Sequence, residues 1–157
     1  MKILLLCIGR TREKDVASSI GRYCARIPHY IPFRMDCLPD VKTGPAMTPE
    51  RQKALEGEKI LASLQPGDFL LLLDERGREY TSREFAGWLD KKSVSLSGRL
   101  VLAVGGPYGF SKEVYERADS MLSLSKMTFP HELVRLFIVE QLYRAMAILR
   151  GEPYHHD

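Results

Sequence analysis

An α/β domain with a mostly parallel sheet flanked by helices is the fold class this sequence predicts. Two observations carry it. KILLLCIG (2–9), FLLLLD (69–74) and RLVLAVGG (99–106) are continuous apolar runs of strand length, as expected of strands buried on both faces. Helical spacings and helix-start signals stand between them, and that alternation implies layers of helix on a mostly parallel sheet. The 157 residues suit a single domain over 1–157, with no internal repeat, low-complexity tract or linker.

After the first strand, Val16, Ile20, Tyr23, Cys24 and Ile27 recur at helical spacing over 14–27. Phe33, Met35 and Cys37 alternate with Arg34 and Asp36 in PFRMDCL (32–38), a strand with one wet face. PDVKTGPAMT (39–48) reads as a surface loop. Thr48-Pro49 opens a helix, because threonine caps free N–H groups and proline at the first position loses no bond. PGD (66–68) turns the chain into the strand 69–74. Thr81 and Glu84 form a capping box ahead of the inward residues Phe85, Trp88 and Leu89. Ser111 caps a short helix over 112–118, and MLSLS (121–125) reads as a last, weaker strand. The final helix, 132–149, is apolar over most of its circumference, so it has two sides to bury.

Composition excludes several classes. A net charge of +3 permits a nucleic-acid partner without demanding one. Cys7, Cys24 and Cys37 lack C-x-x-C spacing and lie on apolar-periodic segments, so buried, reduced thiols and a cytoplasmic location are expected. No stretch approaches the ~20 apolar residues of a membrane span, and the opening MKILLLCIGR is too short for a signal peptide. The four histidines lack a spaced Cys/Asp/Glu set, so no metal site is expected.

In open parallel sheets, ligands bind beyond the carboxyl ends of strands. Three such ends are chemically unusual. One is Leu73-Asp74 ahead of ERG. Another is VGGPYGF (104–110), where Gly105 and Gly106 allow close backbone approach or simply make a tight turn. The third is SLSKMTFPHELVRLF (123–137), where apolar Met127 and Phe129 precede Pro130 and His131 at the mouth of a helix. His131 is either a packing residue there or a neutral imidazole able to accept a proton. Glu140 and Arg144 share a helical face, as an exposed pair or a positioned one. The ending RGEPYHHD carries Tyr154 and His155; such a tail is ordinarily frayed, yet it offers RNA stacking and phosphate contacts. Arg10, Arg12, Lys14, Arg22 and Arg26 cluster near the first helix, as a solvated face or a contact for RNA phosphates. Neither a dinucleotide fingerprint nor a P-loop occurs.

VGGPYGF, LSLSKMTFPHELVRLFIVEQLYRA and the terminal PYHHD together resemble the RlmH family of bacterial ribosomal RNA methyltransferases. MKILLLCIGR and LLLLDERGRE fit the same pattern, so the resemblance spans the chain. It implies a SPOUT fold whose C-terminal part forms a deep trefoil knot. It implies S-adenosylmethionine as cofactor, held by Leu73, Gly105 and the run Leu124, Ser125, Lys126, Met127, Thr128 and Phe129. It implies a homodimer in which one chain's tail completes the other's site. The implied reaction is N3-methylation of a pseudouridine in 23S rRNA on assembled ribosomes. His131, Glu140, Arg144, Tyr154 and His155 match the positions tied to substrate or catalysis. The chain departs from the pattern at His156, where relatives often carry a basic residue, and Asp157 follows it; a phosphate contact there is weaker at neutral pH. Two other readings compete: a knotted methyltransferase acting on tRNA, and a non-catalytic nucleotide- or RNA-binding module of flavodoxin-like shape. The absence of a phosphate-cradling loop after the first strand disfavours the module.

Overall fold

The computed structural model describes residues 1–157. Strands β1 (Lys2–Ile8), β2 (Phe33–Leu38), β3 (Phe69–Glu79), β4 (Arg99–Val104) and β5 (Ser120–Ser123) form one sheet in the order β2-β1-β4-β3-β5. Every pairing is parallel. Parallel neighbours need crossover connections, supplied by α1 (Lys14–Arg26), α2 (Pro49–Ala62), α3 (Ser82–Ser95) and α4 (Lys112–Arg117), with α5 (His131–Leu149) closing the chain. The apolar runs are continuous because each strand feeds two cores. Ile3, Leu5 and Cys7 face a core shared with α1, α3 and α5, while Leu4, Leu6 and Ile8 face a second core under α2 and α4. Leu71 and Leu73 against Leu70 and Leu72 divide β3 in the same way. The helix starts are those the sequence signals. Thr48 accepts from the Arg51 amide, Thr81 and Glu84 cap reciprocally, and Ser111 accepts from Val114.

Three expectations need correction. Strand β3 does not stop at Asp74. It bulges over 74–77 and rejoins β5, so that Leu122 pairs with Leu73 before the bulge and Arg78 after it. Gly77 permits this, since a Cβ there would stand 2.6 Å from the backbone of both Met121 and Leu122. The cysteines are not uniformly buried. Cys7 is, and burial pushes its thiol up to about 12, but Cys24 is half-buried and Cys37 is exposed. Cys37 sits on β2, at the sheet edge, where no further strand covers it. The tail is not frayed: the Tyr154 ring packs edge-on against Tyr143 of α5, with centroids 4.8 Å apart.

Two features shape the carboxyl edge of the sheet. β5 lies beyond β3, so the path from β4 through α4 crosses β3, and the carboxyl ends of β3, β4 and β5 open side by side. The start of α5 is then locked beside them. Arg135, only 1% exposed, donates to the Ile8 and Gly9 carbonyls at 2.6 and 2.9 Å and to Thr11 at 3.1 Å. Glu132 accepts from the Arg12 and Glu13 amides at 2.9 and 3.1 Å, satisfying free N–H groups where α1 begins.

Candidate active site

At those three strand ends lies a cleft of about 560 Å³. One wall is the end of β3 and its bulge, Leu73 to Arg76; a second is the turn Gly105–Phe110 after β4. The third is the segment after β5, and His131 and Val134 of α5 close the base. The turn is built by small residues. Gly109 takes φ +83°, and a Cβ on Gly105 would press on the Gly109 backbone at 3.3 Å. The third wall holds itself in shape. Ser123 donates to the Ser125 carbonyl at 2.8 Å, and the Met127 amide donates to the Ser125 hydroxyl at 3.0 Å. Thr128 reaches across the mouth to Glu75 at 3.1 Å, and Phe129 packs edge-on against Phe137.

Every position expected to contact the cofactor lines this cleft except Lys126, which is exposed and outside the lining. His131 lines it too. Burial lowers its pKa below the ordinary imidazole range, and Arg135 and Arg12 push the same way against Glu132 and Asp40. The imidazole is therefore predominantly neutral at pH 7 and free to take a proton.

Glu140, Arg144, Tyr154 and His155 come together elsewhere. Arg144 donates to Glu140 Oε1 at 2.5 Å through Nη2 and 2.9 Å through Nε, and Tyr154 donates to the same oxygen at 3.1 Å. Arg144 Nη1 lies 3.1 Å from His155 Nδ1. Arginine can only donate, so Nδ1 accepts and the Nε2 proton goes to Asp157, 2.8 Å away. Both Asp157 oxygens also face Arg83 Nε of α3, at 2.8 and 2.9 Å. Glu140 and Arg144 are thus a partly buried, networked pair rather than an isolated one on a wet stripe. Glu140 also borders a second cleft of about 570 Å³, which shares Leu122, Leu124 and Phe129 with the first. The wall after β5 therefore separates His131 from the Glu140 group.

Sequence reasoning marked Asp74 only as part of an unusual strand end and assigned no role to Tyr115 or Glu56. Asp74, with a side chain 9% exposed, accepts from the Tyr115 hydroxyl at 2.5 Å and from the Arg76 amide and Nε at 2.9 and 3.2 Å. Burial opposes its charge, but these bonds outweigh that and hold the carboxyl below the usual range. The cluster clips the bulge to α4, and the separation of its members in sequence leaves no local signal.

No group of three or more His, Cys, Asp or Glu is placed to hold a metal, and no helix is long and apolar enough to cross a membrane. The family model described as "Predicted SPOUT methyltransferase" matches residues 1–155. The chain is 51% identical over 157 residues to "Ribosomal RNA large subunit methyltransferase H" of Bacteroides fragilis, covering 100% of each. The chain belongs to the RlmH family of SPOUT methyltransferases. Relatives of the same name from Parabacteroides distasonis and Christiangramia forsetii are 52% and 49% identical, covering 100% and 99% of each chain respectively. For the fold alone, a probable methyltransferase from Bordetella pertussis is similar with a TM-score of 0.58 at 13% identity, over 92% of this chain and 94% of that one. The cleft of this RlmH-family chain thus sits where open parallel sheets take their ligands.

Proposed function

We propose that this chain is the S-adenosylmethionine-dependent methyltransferase of a pseudouridine N3 in 23S rRNA, acting on assembled ribosomes in the cytoplasm as a homodimer. The observation that carries the reading is the cleft itself, in which the glycine turn, the 124–129 segment and His131 converge. The reading includes the family's knotted threading, at the point where the β4–β5 path crosses β3.

The residues present fit the cofactor. The cleft is the size of a small-molecule site. Leu73, Met127 and Phe129 supply apolar walls, and the Gly105 turn allows the close backbone approach that a flat adenine requires. When bound, S-adenosylmethionine supplies an electrophilic methyl on a sulfonium. The chain's task is then to orient the base in line and remove its N3 proton. His131 receives that proton as the N–C bond forms, and its lowered pKa keeps it unprotonated beforehand.

Glu140 and Arg144, with Tyr154 and His155, form a polar group suited to holding the RNA nucleotide, completed across the dimer. Phe137 and Leu149 of α5, 38% and 42% exposed, supply apolar area for that interface. Arg10, Arg12, Lys14, Arg22 and Arg26 are all exposed and available to rRNA phosphates.

Gly105→Val separates a donor cleft from a merely structural turn. A side chain there is already tight against Gly109, so affinity for S-adenosylmethionine, measured by calorimetry, falls by about tenfold or more. Unchanged affinity places the donor elsewhere.

A further inference from the structure

Behind the glycine turn, on the side away from the cleft, lies an acid with no counter-charge. Glu56 of α2 is 4% exposed. Its Oε1 has no partner, and its Oε2 accepts only from Gln52 Nε2, at 3.3 Å. A Cβ on Gly106 would stand 2.5 and 2.6 Å from the two carboxyl oxygens, so the group is packed directly on the backbone of a residue that lines the cleft. Gly57 presses α2 on the turn's far end, since a Cβ there would lie 2.4 Å from the Ser111 hydroxyl. A mid-helix glycine and an unpaired buried acid are both unfavourable. Together they hold a carboxyl one backbone thickness from the cleft.

We propose that Glu56 supplies the negative field that makes the cleft prefer a cationic ligand to its neutral counterpart. For the cofactor, that means the sulfonium donor over the uncharged thioether, S-adenosylhomocysteine, left after transfer. The inference rests on the donor reading of the cleft. A charge separated from the cleft by packed backbone rather than by water is screened less than one at the open surface. Glu56 touches neither ligand; it is a positioning residue acting through its charge, and it promotes product release.

The charged groups around it are few. Burial raises its pKa, Asp40 of the loop after β2 adds to that, and the Gln52 bond opposes it. Facing the cleft are Asp74, Glu75, Arg76 and His131. A carboxyl with a raised pKa ionises further when a cation arrives. Binding the sulfonium therefore releases a proton that binding the thioether does not.

The test is calorimetry of wild type and Glu56→Gln with both ligands, from about pH 5 to 8. The wild type prefers S-adenosylmethionine, and its preference grows as pH rises. In Glu56→Gln the preference at the upper end shrinks by about five- to tenfold and is flatter with pH, while thioether affinity stays within about twofold. An equal preference in both proteins overturns the proposal and leaves the donor reading standing. Failure of the wild type to bind either ligand overturns both. Should Glu56→Gln not fold, His131→Asn decides, because it removes the imidazole that also titrates in the cleft. Extra proton release with the sulfonium must persist there, and its loss overturns the proposal.

Discussion

Replacing His131 with alanine lowers methyl transfer by roughly 10²–10⁴-fold, the range of a lost general base, while S-adenosylmethionine affinity changes only a few-fold. The asymmetry follows from placement. His131 closes the base of the cleft from the first turn of α5, whereas the cofactor walls come from the strand ends. That turn is anchored independently of the imidazole, through Arg135 on the Ile8 and Gly9 carbonyls and Glu132 on the amides opening α1. Removing the ring therefore leaves the cleft in shape. The pH profile carries a second signature. Burial, Arg135 and Arg12 lower the pKa of His131, so wild-type activity has an acid limb below the ordinary imidazole range, and the alanine variant loses that limb. The stability sign agrees: the unfolded chain binds this proton more readily, so the group's contribution falls as pH drops through the unfolded value towards the lowered folded one. Turnover in His131→Ala equal to wild type removes the base assignment.

Gly77→Ala is the most disruptive small change at the site. Its methyl would stand 2.6 Å from the Met121 carbonyl carbon and the Leu122 amide nitrogen. Both are backbone, so no side chain can swing aside. The β3 bulge must lift off β5, breaking the Arg78–Leu122 and Glu79–Ser123 register. We expect a loss of about 3 kcal/mol, the upper part of the usual range for overpacking, read as a lower Tm. Donor affinity falls with it, since the cofactor wall leaves β5 directly after Ser123. Gly21→Ala is the control. It lies in α1 with open space around its Cβ position, and a helix interior prefers alanine, so stability holds or rises by up to ~1 kcal/mol. Equal effects of the two substitutions contradict this account of the bulge.

The layered architecture was legible because burial on both faces leaves a plain mark: runs such as LLLL in β3 cannot be half-wet. The helix starts were legible for a local reason, as Thr48, Thr81 and Ser111 each sit within three residues of the amide they cap. The extension of β3 was not, because DERGRE reads as a polar turn and only the crossing of Gly77 over Leu122 brings it back to the sheet. Cys37 misled for the opposite reason. Its alternation is that of a covered strand, but strand order puts it at an open edge, and order is not a local property.

The site divides in the same way. Periodicity singled out the 123–137 junction as odd, and resemblance alone named a ligand for it. The convergence of Leu73, Gly105, Phe129 and His131 on one cleft follows from topology. The Asp74–Tyr115 clip joins residues with no shared sequence signal. Glu56 had one overlooked cue, the glycine beside it, which interrupts an otherwise good helix and marks a close approach.

The most direct test of the whole account is methyl transfer to ribosomes. Purified protein, S-adenosylmethionine and intact ribosomes lacking the modification are incubated, and the rRNA is mapped by mass spectrometry. The account predicts one added methyl on N3 of a 23S pseudouridine, little transfer to free rRNA, and none to ribosomes lacking that pseudouridine. Methylation of tRNA instead, or no transfer to ribosomes by protein that binds the cofactor, contradicts it.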